Sequence, residues 1–377
     1  MPTGVDRVEY AYLRFISEDD TSEAFGLVRT ALGYVLLDRS GLRAVRQAIE
    51  DLDWGSTDLV SRLNWRLSAS SRLGQSLVRR KALARRPHRG LDRLIRKNLP
   101  ARFDYLNVGH SNLTQESLQP FAHHPGARIV ILVHDAIPLD HPELQRPGAA
   151  ETFEQKLRLV ASYADRVICT SRSCLDAVKP HLQRLGRVPP LLPALLGVEV
   201  SPPAPLRHLK APDRSYFVMV GTIEPRKNHS MILDIWDRFG GEGPSLVICG
   251  HRGWANEDVF ARLDRGIANV TEIAGLTDGE ISTLLTGSRG LLFPSLDEGF
   301  GLPPAEASAL GVPVLCSDLP SCREILGNTP VYLNPSDGYL WEKTIQALLR
   351  NPDRRVQAPF IPPTWDSHFG LVFSEAS

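Results

Sequence analysis

Gly290-Leu291-Leu292-Phe293-Pro294-Ser295-Leu296-Asp297-Glu298-Gly299-Phe300-Gly301-Leu302-Pro303-Pro304-Ala305-Glu306 is the stretch on which the fold turns. An apolar run ends at Phe293 and a glycine-containing loop follows. Pro303 or Pro304 then suits the first turn of a helix, where a missing N–H costs little. The alanine-rich run beyond carries that helix to Leu310, with Gly311 as its stop. A buried strand, a loop and a helix make the repeating unit of a parallel α/β sheet. Working outward, short apolar runs followed by helical patterns recur at 129–133, 166–169, 216–220 and 246–249, with 312–316 a further candidate. The expected fold is therefore α/β with parallel sheets. In such sheets ligands bind beyond the carboxyl ends of the strands. The unusual residues cluster there: His134 and Asp135, 170–173, 221–228, 250–253 and 294–301.

A chain of 377 residues exceeds the size at which one core keeps growing, so two domains are expected. The proline-rich stretch 188–205 interrupts the alternation and serves as the linker. The expected division is an N-terminal domain over 1–197, a C-terminal domain over 198–355 and a tail over 356–377. Within the tail, 365–373 has the pattern of a helix that packs back across the junction. With 42% hydrophobic and 23% charged residues the chain is globular. Its 43 basic and 43 acidic residues cancel, which argues against nucleic acid as a partner held by overall charge. Five cysteines without a C-x-x-C spacing read as buried, reduced thiols. No apolar run reaches the ~18 residues that span a bilayer and no signal-peptide core is visible, so a cytoplasmic location is expected.

The loop at 294–301 offers backbone N–H groups and the helix after it a positive dipole end, a combination suited to a diphosphate. Glu298 in the loop and Glu306 in the helix can face one cleft and accept hydrogen bonds from a polyhydroxylated ligand. A second cluster, Gly221-Thr222-Ile223-Glu224-Pro225-Arg226-Lys227-Asn228, follows the strand ending at Val220. Arg226 and Lys227 can neutralise a departing diphosphate, the task a metal ion performs elsewhere. Asp51-Leu52-Asp53 is an isolated acidic triplet in a helical run with no strand before it, and no metal site is expected there. No P-loop, H-E-x-x-H or G-x-G-x-x-G opening a helix occurs.

Together these clusters resemble the retaining glycosyltransferase family 4, which carries an E-x7-E element that starts in a P-S-x-x-E-G-F-G run and extends after it, and a G-T-x-E-x-R-K-N turn. Val133-His134-Asp135-Ala136-Ile137-Pro138 is similar to that family's H-D motif, and Thr170-Ser171-Arg172-Ser173 to its T-S-x-S turn. The resemblance covers about 129–333, and weakly 4–12. It implies a GT-B fold, two Rossmann-like domains whose parallel sheets face a central cleft. It implies that Glu306 binds the nucleotide ribose and Glu298 the donor sugar, and that the backbone of Gly299, Phe300 and Gly301, followed by Leu302, holds sugar hydroxyls and phosphate. Gly221, Thr222, Arg226 and Lys227 would grip the diphosphate, Gly275 and Leu276 would lie near the base, and His134 would approach the sugar from the opposite domain. Gly4, Asp135 and Ser171 fall on the acceptor side. Family members place a strand before the element similar to 4–8, so that strand is expected to be missing here.

The resemblance also implies metal-independent transfer with retention, through front-face departure and attack. GDP-mannose is the first expectation for the donor and a UDP-sugar the second, with a glycan or lipid-linked glycan as acceptor. The rival readings are another GT-B enzyme, such as a nucleotide-sugar epimerase or a phosphorylase, and a non-catalytic protein that binds a sugar nucleotide.

One stretch matches no motif. From Arg72 to Lys97 there are ten Lys or Arg residues and one acid, Asp92. Leucines and Ile95 recur among them at roughly helical spacing, and Pro87 and Gly90 divide the stretch into two expected short amphipathic helices. Such a segment can rest on an anionic membrane surface. Arg79, Arg80, Lys81, Arg85 and Arg86 would supply the charge and hold the enzyme peripherally at the inner face of the cell membrane.

Overall fold

A computed structural model describes residues 3–63, 65–207, 210–350 and 360–374. The chain divides into two compact units, Pro2–Leu132 with Arg158–Val167, and Val133–Leu157 with Ile168–Ser377. The tail boundary expected at 355/356 lies outside the described residues. No helix among those residues is long and apolar enough to cross a membrane.

In the first unit, α1 (Gly4–Glu18) opens on a capping box. The Thr3 hydroxyl accepts from Asp6 N at 3.2 Å and the Asp6 carboxylate accepts from Thr3 N at 2.7 Å, which satisfies two otherwise unpaired donors. Val8, Ala11 and Tyr12 are its buried stripe. Strands β1 (Gly26–Thr30) and β2 (Gly33–Leu37) form an antiparallel hairpin. Helices α2 (Arg39–Asp51), α3 (Leu59–Leu63) and α4 (Ala69–Arg80) follow. Strand β3 (Ala84–Arg86) adds antiparallel to β2, with Val35 opposite Arg85. After α5 (Leu91–Asn98), β4 (Phe103–Asn107) and α6 (Gln115–Ala122) comes β5 (Ala127–Val133), which runs parallel to β4 from Phe103↔Ala127 to Asn107↔Ile131.

The basic stretch differs from its expected form. Its middle is the edge strand β3, and Leu77, Leu91, Leu94 and Ile95 are buried in the protein. The helical spacing of those leucines is accounted for by packing onto the core. Arg79 is buried too, donating to Asp58 at 2.7 and 2.8 Å through Nε and Nη2. Arg80 holds the carbonyls of Trp54 and Ser56. Lys81, Arg85, Arg89, Arg93, Arg96 and Lys97 remain exposed.

Helix α7 (Ile137–Asp140) lies in the second unit, α8 (Ala149–Tyr163) and β6 (Arg166–Cys169) each run across the division, and α9 (Arg172–Arg184) and β7 (Leu191–Pro193) follow in the second unit. Part of the proline-rich stretch is thus a strand, and Ala194 N donates to Cys169 O at 2.8 Å. There follow β8 (Tyr216–Val220), α10 (His229–Phe239), β9 (Ser245–Cys249), α11 (Glu257–Arg265), β10 (Val270–Ile273), α12 (Asp278–Thr286) and β11 (Leu291–Phe293). The last elements are α13 (Leu302–Ala309), β12 (Val314–Ser317), α14 (Pro320–Leu326), β13 (Val331–Leu333), α15 (Gly338–Arg350) and α16 (Trp365–Val372). Strands β8 to β13 make one parallel sheet in the order β10-β9-β8-β11-β12-β13. Strand β8, fully buried along its length, starts the sheet at its middle. The chain adds strands on one side of β8, then crosses to β11 on the other, so β8 and β11 flank a topological switch point.

One face of this sheet packs on Trp236 and Trp341, both fully buried with Phe217, Ile232, Leu246 and Ile345. Each indole N–H has its partner: Trp236 Nε1 donates to Pro244 O at 2.9 Å and Trp341 Nε1 to Asn334 O at 3.0 Å. Helix α16 lies on 194–198, where Val198 N donates to Pro363 O at 2.9 Å. A Cβ on Gly197 would stand 2.3 Å from the Trp365 ring. Trp236→Ala removes one of the two largest side chains of this core and should cost about 3–5 kcal/mol of stability, measured as a lowered urea midpoint of the second unit.

Candidate functional site

Beyond the carboxyl end of β8 the chain passes Gly221 and Thr222 and turns tightly through Pro225–Lys227, where Lys227 N donates to Glu224 O at 3.1 Å. Gly221 has φ +138° and lies against the Lys227 stem. Asn228 has φ 53° and starts α10. Its amide donates to Pro294 O at 3.2 Å and Pro335 O at 3.0 Å, and Leu296 N donates to Arg226 O at 2.8 Å. The loops after β8 and β11 are therefore stitched together at the switch point.

Glu298 sits at the centre of that seam. Its Oε1 accepts from Lys227 Nζ at 2.5 Å and its Oε2 faces Arg226 Nη1 at 2.8 Å. Arg226 also donates to Glu224 Oε1 at 2.6 Å and to Asp297 O at 2.9 Å. The Lys227 ammonium stands 4.6 Å from the Phe293 ring centre, a cation–π distance. Burial pushes the Glu298 carboxyl up, but Arg226 and then Lys227 overcome it and hold the group at about 2. Burial pulls Lys227 below its usual range, and Glu298 offsets this only in part. For Arg226 the pull of burial is outweighed by Glu298 and Glu224, so its pKa is raised. His229, buried beside these cations, is held down at about 3 by desolvation and by Lys227. The site is a set of fixed charges, with Glu298 ionised throughout the neutral range.

The loop continues into a crowded turn. A Cβ on Gly299 would stand 2.6 Å from His134 O and 2.9 Å from Asp135 Cβ, so no other residue fits. The Ser171 hydroxyl donates to Gly299 O at 3.5 Å, and the Thr170 hydroxyl to His134 O at 2.9 Å. Phe300 is buried. Gly301, at φ +91°, is the N-cap of α13, with Leu302 and the two prolines in the first turn. Glu306 is buried in the second turn. Asp135 accepts from Ile137 N at 3.1 Å, and burial raises it to about 6 against the pull of Arg226.

The structure thus brings together His134, Asp135, Ser171, Arg226, Lys227, Glu298 and Gly299. Gly275 and Leu276 lie between β10 and α12, with Gly275 at φ +76° and Leu276 buried. Gly4 opens α1 in the other unit. Asp51 accepts from Gln47 at 2.6 Å at the end of α2, and Asp53 caps Gly55 N at 2.9 Å. Among the described residues no group of three or more His, Cys, Asp or Glu side chains is placed to hold a metal ion. Sequence reasoning assigned no role to Glu224, Asp297 or His141, whose Nε2 lies 3.5 Å from Asp297 Oδ2. The signal for Glu224 was present, a carboxylate two residues before Arg226 in a tight turn.

Residues 205–359 match the family model for glycosyl transferases group 1 and form a domain of that kind. The chain is 31% identical over 238 residues to the serotype-specific mannosyltransferase WbdA of Escherichia coli, covering 56% of this chain and 29% of that protein. It is 34% identical over 149 residues to the O-antigen chain mannosyltransferase RfbU of Salmonella typhimurium strain LT2, covering 38% of this chain and 41% of that one. The chain thus spans less than half the length of either relative. Among solved structures it resembles sucrose-phosphate synthase of Thermosynechococcus elongatus, with a TM-score of 0.54, 19% identity and 71% of each chain covered. It also resembles TarM, with a TM-score of 0.52, 13% identity and 73% of this chain and 54% of that one covered. The fold is GT-B.

The Asp135 environment has a measurable pH signature. Because folding raises its pKa from about 4 to about 6, the folded chain binds the extra proton between those values. Stability falls as pH rises through 6. Asp135→Asn keeps the acceptor for Ile137 N and loses the charge. It should match the parent near pH 4 and melt higher than the parent at pH 8, as read by thermal unfolding across that range.

Proposed function

We propose that this chain, with its group 1 glycosyltransferase domain, transfers a hexose from a nucleoside-diphosphate sugar to a growing polysaccharide or lipid-linked glycan, with retention and without a metal ion. Mannose carried on GDP is the first candidate, and a UDP-sugar the second. The observation that carries the reading is the buried Arg226–Lys227–Glu298 cluster at the switch point of the group 1 domain's parallel sheet, in the loops that lead to α10 and α13. The names of the matched relatives support mannose as the sugar.

In the proposed reaction the bond from the sugar's anomeric carbon to the diphosphate breaks, and an acceptor hydroxyl oxygen bonds to the same face. The hydroxyl proton passes to the departing phosphate oxygen. Arg226 and Lys227, aided by the N-terminus of α13, stabilise the charge that develops on that leaving group. Glu298, held near 2 by two cations, is poor at exchanging a proton near neutrality. It serves instead as a fixed acceptor for sugar hydroxyls. Glu306 binds the nucleotide ribose, Gly221 and Thr222 line the diphosphate, and His134 approaches the sugar. In this reading 1–197 form the acceptor side and 198–355 the donor side.

The exposed cations of 81–97 supply a salt-sensitive contact to an anionic membrane, since each such residue near the surface contributes on the order of 1 kcal/mol. Leu59 and Trp65, 76% and 79% exposed in the same unit, offer apolar side chains to the same surface. The contact would hold the enzyme beside a membrane-borne acceptor.

A panel of GDP- and UDP-sugars, assayed for donor hydrolysis and transfer with and without EDTA, tests the reaction. Turnover should appear with one donor and persist in EDTA. Loss restored by Mg²⁺ or Mn²⁺ would overturn the role given to Arg226 and Lys227. Glu298→Ala should lower kcat by on the order of 10²-fold, while Glu306→Ala should chiefly raise the donor KM. Parent kinetics in both variants would remove the site from the reaction. Liposome co-sedimentation tests the surface. Binding should need anionic lipid, fade with salt and fall when Lys81, Arg85 and Arg86 become Glu. Arg79 and Arg80 are left intact because they hold the fold.

A further inference from the structure

Helix α9 begins directly after Ser171, and its first N–H groups have no partner inside the helix. Cys174 N is satisfied locally, donating to Ser171 Oγ at 2.9 Å. The other two donors are met from the far end of the chain. Arg172 N donates to Glu324 Oε1 at 2.7 Å and Ser173 N to Glu324 Oε2 at 2.8 Å, across 152 and 151 residues of sequence. A carboxylate laid across two N–H groups at the positive end of a helix is favoured by charge and by geometry together. Among the described residues it is the only side chain of α14 that reaches α9 by a hydrogen bond or ion pair.

The consequence runs into the site. Ser171, fixed as the cap of α9, turns its hydroxyl to Gly299 O at 3.5 Å. Gly299 follows Glu298 and has no free space on its other side, where His134 O would lie 2.6 Å from an added Cβ. Displacing the start of α9 therefore displaces the wall against which this turn is seated.

We propose that Glu324 is a positioning residue for sugar transfer, bracing the start of α9 so that Ser171 and His134 hold Gly299, and with it Glu298, in register. The proposal rests on the transferase reading for its kinetic part, but the brace itself does not. Among the described residues Glu324 makes no hydrogen bond or ion pair with Arg226, Lys227 or Glu298, and those three residues hold one another directly. Removing the brace should therefore leave donor binding nearly intact and slow the chemical step.

The test uses the full chain with Glu324→Ala and Glu324→Gln. Backbone hydrogen exchange at Arg172 and Ser173 should quicken about tenfold or more in the alanine variant. With the preferred donor, kcat should fall roughly fivefold to tenfold, since small misplacements near the chemistry are costly, while the donor KM stays close to the parent's. Added formate supplies a free carboxylate to the vacated helix start, and should slow the exchange and restore part of the turnover. Glu324→Gln, which keeps an acceptor oxygen without the charge, should fall in between. Unchanged exchange would overturn the brace whether or not the protein transfers sugar. Quickened exchange with parent kinetics would overturn the positioning role, as would lost turnover that formate does not recover in a variant with a lowered melting temperature. Absence of transfer in the parent would overturn the transferase reading alone, and the exchange measurement would still decide the brace.

Discussion

The arrangement depends on one carboxylate shared by two cations below the protein surface. A buried charge without a partner costs several kcal/mol, so Glu298, Arg226 and Lys227 can be tolerated only together. Sheet topology makes that pairing available. Because the strand order reverses between β8 and β11, the loop carrying the cations and the loop carrying the carboxylate leave adjacent strands in the same direction. Residues 71 positions apart then meet at 2.5 Å. The side chain of Asn228 and the backbone of Arg226 and Leu296 lock the loops before any ligand arrives. Such preorganisation is what electrostatic stabilisation of a leaving group requires.

The seam also explains why several neighbouring residues have the identity they do. Gly299 must lack a side chain because His134 O and Asp135 occupy the space. Gly250 faces the same restriction one strand over, where an added Cβ would lie 1.9 Å from Gly221 O. Phe293 ends β11 beneath the Lys227 ammonium, giving a partly desolvated cation a polarisable face. The glycines around the site are thus mainly a matter of close approach, and left-handed backbone matters most at Gly301, where α13 begins.

Legibility in the sequence followed the range of the interaction. Strands β8, β9, β11 and β12 are short apolar runs bounded by loop residues, and β5 and β6 share that pattern, so all six were readable from local pattern. Strand β13 is three residues long and only half-buried, and β3 is Ala-Arg-Arg, so neither announces itself. The basic stretch shows the limit of periodicity. Leu91, Leu94 and Ile95 mark a helix with one apolar face, but spacing does not say whether that face meets lipid or protein. Here it meets protein. Arg79 was unreadable for the same reason, since its partner Asp58 lies 21 residues upstream in a segment without a motif. Within the site, Glu298, Arg226 and Lys227 stood out because each sits in a dense local pattern. Glu324 did not, because its partners are backbone N–H groups that every sequence possesses.

The charge balance at the seam bears on how a diphosphate would be received. Arg226 already holds Glu224 and Glu298, and Lys227 holds Glu298, so the cations enter the reaction already paired. Lys227 is nonetheless pulled below its usual pKa by burial despite that pairing. One carboxylate shared between two cations does not fully repay the desolvation of the ammonium. A second anion is therefore welcome. On the proposed function, a diphosphate arriving beside Lys227 adds the missing negative charge and relaxes the hold of Lys227 on Glu298 Oε1. That oxygen is then available to a sugar hydroxyl, while Arg226 keeps Oε2 in place. The same carboxylate that pairs both cations would in this way become the sugar's acceptor once the donor is seated.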